Sequence, residues 1–133
     1  MNRDELQAQC MRVPYFRFIG FEIDEVGEEY VVARLDQAGR HIGNSVIGAF
    51  HGGMLASFME AVASAAVSRN CNIRRPKPVN MTVDFLRPAL AGTLFVRAEI
   101  VRKGRRIASI EAIASQKDAA KPVARGLFHF LLI

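Results

Sequence analysis

The clearest periodicity lies in the C-terminal half of the chain. Val79, Met81, Val83 and Phe85 alternate with Asn80, Thr82 and Asp84, the period of two that gives a strand one apolar face. Pro88 and Gly92 interrupt, and a second strand is predicted over Thr93–Arg102. Lys103-Gly104-Arg105 makes a tight turn into a third, Ile107–Gln116, and Lys117 to Pro122 turns into a fourth, Val123–Ile133. Connections this short place consecutive strands side by side and antiparallel.

The N-terminal half reads differently. Asp4–Met11 has the pattern of a short amphipathic helix that stops near Pro14. Phe21–Leu35 is extended, with a hairpin turn at Gly27-Glu28-Glu29, and Gln37–Phe50, with Gly39, Gly43, Asn44, Ser45 and Gly48, is a loop. A long apolar helix follows from about Gly52 to Arg69. At about 100° per residue, Ser57, Glu60, Ser64 and Ser68 fall within roughly 80° of one another, and every other direction is apolar. Such a helix must be covered on most sides. A flat sheet does not achieve that; a sheet curving around the helix does, with a second subunit over the remainder. The fold class is therefore α+β, one long helix inserted among the strands of an antiparallel sheet.

Composition narrows the class. The 133 residues fit a single domain, residues 1–133, and 50% hydrophobic with 23% charged is the profile of a globular chain with a core. Glu60 and Ser64 break the best apolar run before it reaches the roughly 18 residues of a membrane span. The start, MNRDELQAQC, lacks the apolar stretch of a signal peptide, so the cytoplasm is expected. Cys10 and Cys71 have neither metal-ligand nor CxxC spacing and are expected to be free thiols, with no metal. The net charge of +5 raises the question of nucleic acid. Its clusters, Arg74-Arg75-Pro76-Lys77 and Arg102-Lys103-Gly104-Arg105-Arg106, sit in loops without interleaved aromatics or a recognition helix. They suit either solvated loops or a small phosphorylated ligand.

Three features carry chemistry. His51-Gly52-Gly53 opens the long helix, where unpaired N–H groups and the positive end of the helix dipole favour developing negative charge. The glycines either form an oxyanion hole or only allow a tight turn into the helix. Glu60, alone among apolar neighbours, either has a raised pKa suited to a base or nucleophile, or reaches solvent along the serine stripe. Asn44 either orients a carbonyl or water, or closes a local turn. Gly52 and Glu60 are eight residues apart, about 12 Å along a helix, too far to share one reacting carbonyl within a chain. If both act together, two helices must pack antiparallel across a two-fold axis, with two sites per dimer.

The chain resembles the hotdog-fold acyl-CoA thioesterases of the phenylacetic-acid-degradation type. The likeness rests on Asn44 with Gly48-Ala49-Phe50-His51-Gly52-Gly53, on Glu60 nine residues after the histidine, on VDFLRPALAGTL from Val83, and on VRKGRRIASIEAIASQKDAAKPVARG from Val101. It implies an antiparallel sheet wrapped around one central helix. It implies dimers, often paired into tetramers, and hydrolysis of acyl-CoA without metal or further cofactor. It also implies site residues: Glu60 as base or nucleophile, the Gly52 N–H as oxyanion donor, His51 and Asn44 as positioning groups, and Ser64 assisting one turn beyond the acid. Ser45 is an alternative to Asn44, because the loop is one residue longer than is usual. Lys103, Arg105 and Arg106, with Arg87 or Arg74, are the candidates for the CoA phosphates. Phe16, Phe18, Met54, Phe58 and Phe85 are expected around a medium-chain or aromatic acyl group. Two alternatives stand beside hydrolysis: an enoyl-thioester hydratase or dehydratase, and an acyl-CoA-binding module without catalysis.

Overall fold

The computed structural model describes residues 1–133. Helix α1 spans Arg3–Cys10 and starts at Asn2, whose side chain accepts the Glu5 N–H and so satisfies one orphan donor of the first turn. Pro14 does more than end it. It is the first residue of a second short helix, α2 (Pro14–Ile19), a position where its missing N–H costs nothing. Strands β1 (Glu22–Val26) and β2 (Tyr30–Asp36) form the expected hairpin. The glycine-rich loop contains a one-turn 3-10 helix, Gly39–His41, and a small ladder of β3 (Ile42–Asn44) with β4 (Ala49–Phe50).

Helix α3 runs over Gly52–Asn70, followed by β5 (Lys77–Phe85), β6 (Thr93–Lys103), β7 (Ile107–Ser115) and β8 (Ala124–Leu131). All pairings in the main sheet are antiparallel, in the order β1-β2-β6-β7-β8-β5. The expected adjacency of β5 and β6 is not found. β5 pairs with β8, setting Met81 opposite Phe128 and Val83 opposite Gly126. Period two fixes which side chains share a face, but it does not name the neighbouring strand.

The sheet curves around α3. Phe58, Met59, Ala61, Val62, Ala63, Ala66 and Val67 are all fully buried. Facing them, Ala98, Ala108, Ala112 and Ala114 are also fully buried, small side chains on β6 and β7 that let the helix settle close to the sheet. Each large side chain buried this way contributes about 2 kcal/mol.

The two sheet edges differ. β1 is closed by α1: Gln7 accepts the Ile23 N–H (2.6 Å) and donates to the Phe21 carbonyl (3.2 Å), and Arg3 donates to the Ile23 carbonyl (2.6 Å). β5 has no such cover, and Val79, Met81 and Phe85 are exposed on it by 54%, 39% and 56%. No helix is long and apolar enough to cross a membrane.

Candidate active site

The site begins where the loop meets α3. The β3–β4 ladder sets Ile42 opposite Phe50, and the His51 N–H then donates to the His41 carbonyl (2.8 Å). His41 is fully buried. Its Nδ1 accepts the Ala38 N–H (2.9 Å) and its Nε2 lies 2.9 Å from the Ile19 carbonyl, so the neutral Nε2–H tautomer satisfies both. Burial lowers its pKa. This histidine ties the loop to α2, and no local sequence pattern distinguished it from the other two histidines. Gly43 has a steric reason: a Cβ there would lie 2.6 Å from the His51 Cα.

His51 is the N-cap of α3, and its Nδ1 accepts the Gly53 N–H (2.9 Å). The two glycines that follow are not equivalent. A Cβ on Gly53 would stand 3.0 Å from the His51 ring, so the cap itself calls for glycine there. A Cβ on Gly52 would meet only the Phe85 ring, at 3.4 Å, and Gly52 is not among the positive-φ residues. Gly52 is also the first helical residue, whose N–H has no acceptor inside a helix. The bare position leaves that donor open to approach.

Glu60 lies in mid-helix on the one strip of α3 that the sheet leaves uncovered, with Ser57 and Ser64. It is half-buried, has no hydrogen bond or ion pair within the chain, and its pKa is raised by burial. The Ser57 hydroxyl donates back to the Gly53 carbonyl (2.8 Å). Ser64 faces a cavity of about 230 Å³ between α3 and the N-terminal helices. Ser68 leaves the predicted stripe: it is buried under α1 and bonded to Gln9 Nε2 (2.5 Å).

The other expected residues are dispersed. Asn44 Oδ1 accepts the Val46 N–H (3.0 Å), which closes a local turn, and Ser45 is exposed beside it. Arg87 shares a shallow depression with Gly52 and Phe85 near the start of α3, where it donates to the Pro122 carbonyl (2.6 Å). Lys103 sits at the opposite end, its Nζ 3.3 Å from the Asn70 carbonyl at the last residue of α3, on the hairpin that also exposes Arg105 and Arg106. One chain therefore does not gather these four cations. Of the expected acyl contacts, Phe16 lines the cavity and Phe85 stands over Gly52. Phe58 and Met54 belong instead to the core, where Phe58 packs on Phe21 (centroids 5.6 Å apart), and Phe18 is 51% exposed, with the Arg40 guanidinium over its ring. Neither helix periodicity nor aromatic count separates core from pocket. No three His, Cys, Asp or Glu side chains come together in a metal-binding cluster.

Within a chain, Gly52 and Glu60 remain separated by about 12 Å of helix. What one subunit offers is half a site at each position: an open donor beside Phe85 and Arg87, and an unpaired carboxylate beside Ser64.

Comparison with known proteins bears on the family and the fold. A family model described as the acyl-CoA thioesterase N-terminal domain matches residues 41–131. A Mycobacterium tuberculosis protein named as an esterase is 28% identical over 118 residues, covering 86% of this chain and 82% of that one. Among solved structures, a thioesterase-superfamily protein superposes with a TM-score of 0.89 at 26% identity, over 97% of this chain and 96% of that one. A phenylacetic acid degradation-related protein from Ralstonia eutropha, described as a thioesterase, gives 0.81 at 24% identity, over 95% and 98%.

Proposed function

Because this chain belongs to the family of the acyl-CoA thioesterase N-terminal domain and is a thioester hydrolase of the hotdog fold, we propose that it cleaves acyl-CoA to a free acid and CoA at a site shared by two subunits. One observation carries the reading: an unpaired, half-buried Glu60 on the uncovered strip of a helix whose own open N–H is too far away to serve it. A second copy resolves both deficits. Its natural seat is the β5 edge, since β1 is already closed by α1. Two chains paired there, with their α3 helices antiparallel, bring each Glu60 towards the partner chain's helix start.

In that site the thioester carbonyl oxygen accepts the Gly52 N–H of one subunit, which stabilises the oxyanion as it forms. Glu60 of the other subunit removes a proton from the attacking water, or attacks the carbonyl itself to give, after thiolate loss, an acyl-glutamyl anhydride that water then hydrolyses to the free acid. His51 holds the Gly53 N–H and fixes the backbone that aims the Gly52 donor. Ser64, one turn beyond Glu60, orients the water. Collapse of the tetrahedral intermediate expels the CoA thiolate, a good leaving group that needs no metal. Lys103, Arg105 and Arg106 of one subunit and Arg87 of the other then lie at the same end of the paired helices, where they meet the CoA phosphates. Asn44 contributes through the turn it closes with Val46.

Replacing Glu60 by Ala tests this directly. Thiol release from an acyl-CoA panel is expected to fall by at least about a thousandfold while the dimer and its far-UV spectrum stay intact. Retained turnover would remove Glu60 from the chemistry. Conversion of an enoyl thioester without thiol release would favour the hydratase reading, and binding with neither reaction would favour the non-catalytic one.

A further inference from the structure

The cavity beyond Ser64 has walls of two kinds. Cys10, Val13 and Phe16 supply an apolar side from α1, α2 and the turn between them, with Ser64 on α3 at its other wall. Its rim carries Arg74 and Arg75, from the loop that follows α3. No acidic residue lines it. Neither guanidinium has an ion pair; the chain's arginine–carboxylate pairs are made by Arg3, Arg34 and Arg97, on α1 and on the face of the sheet away from α3. The loop is held to the cavity wall, because Gln9 Nε2 reaches both the Ser68 hydroxyl (2.5 Å) and the Arg74 carbonyl (3.4 Å). The end of α3 does not call for these two cations, since Lys103 already meets its last carbonyl.

Resting on the hydrolytic reading above, we propose that this cavity takes the distal part of the acyl group, and that Arg74 and Arg75 select acyl chains ending in an anion, above all a terminal carboxylate. The substrate class is then the CoA monothioester of a dicarboxylic acid. The α3 wall of the cavity begins at Ser64, one turn past Glu60, and extends a further turn to Ser68, about 12 Å of helix from Glu60. A chain leaving the reacting carbonyl in that direction runs over apolar walls and meets the guanidinium pair at its end. The same walls do not suit the pantetheine arm, whose amides need partners: Gln9 is engaged, Ser68 is engaged, and the Cys10 thiol is pushed up to about 11 by burial and stays neutral. Two arginines meeting a carboxylate also give the forked, charge-assisted contact that discriminates strongly against an uncharged end.

The test compares ω-carboxyacyl-CoA with the uncharged acyl-CoA of equal chain length, by thiol release, and repeats the comparison by binding with the matching non-hydrolysable thioethers. The wild-type protein is expected to favour the charged chain by about tenfold in both kcat/KM and Kd. Arg74→Ala/Arg75→Ala should bring that ratio to about one, and Arg74→Lys/Arg75→Lys should restore part of it. A wild-type ratio near one in binding overturns the proposal. So does a double variant that weakens both ligands equally, because the arginines would then hold the CoA phosphates. If no ester releases thiol, the hydrolytic reading fails, while the thioether ratio still decides what the arginines recognise.

Discussion

At the level of single residues, the two adjacent glycines have separate causes. Gly53 leaves room for the capping ring of His51, which would stand only 3.0 Å from a Cβ there, whereas a Cβ on Gly52 would meet the Phe85 ring at an ordinary 3.4 Å. A position left bare without a structural reason, at the one helix residue with an open donor, is what an oxyanion hole needs. Glu60 also has a measurable signature. A carboxyl whose pKa is raised above its ordinary 4.5 binds its proton more tightly in the folded state. Its contribution to stability is full below 4.5 and is lost as pH rises through the folded value. Glu60→Gln should therefore melt higher than the wild type at neutral pH, with the difference shrinking as pH falls through the raised folded value towards 4.5 and levelling off below it. If Glu60 acts as the proposed base, the acid limb of kcat is expected above the usual carboxylate range, since only the ionised carboxylate takes a proton.

Elements decide which surface is free. α1 spends Gln7 and Arg3 on closing the β1 edge, and the polar atoms of those side chains replace the missing neighbour strand. β5 at the other edge turns Met81, Val83 and Phe85 to the helix side, opposite Phe128, Gly126 and Ala124 of β8. An exposed strand edge next to apolar side chains is a pairing surface. Met81→Arg, at a position already 39% exposed in the single chain, should fold but elute as a monomer. Thiol release should disappear with the dimer although no residue of the site has been changed. A variant that is monomeric and fully active would show that one chain holds a complete site.

For the whole molecule, the central prediction concerns complementation. Glu60→Ala and Gly52→Val are each expected to be inactive, the second because a branched side chain beside Phe85 covers the N–H. In a mixed dimer, one of the two sites combines the intact Glu60 of one chain with the intact Gly52 of the other. Refolding the two variants together in equal amounts makes about half of the dimers mixed, so activity should recover to about a quarter of the wild type. No recovery would mean that each site lies within a single chain. The proposed arrangement would also bring together candidate phosphate ligands that are scattered in one subunit, where Arg87 and the Lys103 hairpin stand at opposite ends of a helix of 19 residues, about 28 Å long.

Much of the design was legible in the residues. Period-two alternation determined the strands, the serine and glutamate stripe determined that α3 would be enclosed on most sides, and the eight-residue interval between Gly52 and Glu60 determined that one chain cannot bring them together. These are local quantities, set by the repeat of a helix or strand. Four things were decided only by tertiary structure. β5 lies beside β8 and not β6; Ser68 is buried under α1; Phe58 serves the core while Phe16 serves the cavity; and His41, with no signal in its neighbourhood, holds the loop that positions His51. Each depends on which distant segment fills the space against a given face. That choice is made by packing and hydrogen bonding between residues tens of positions apart, which no periodicity along the chain records.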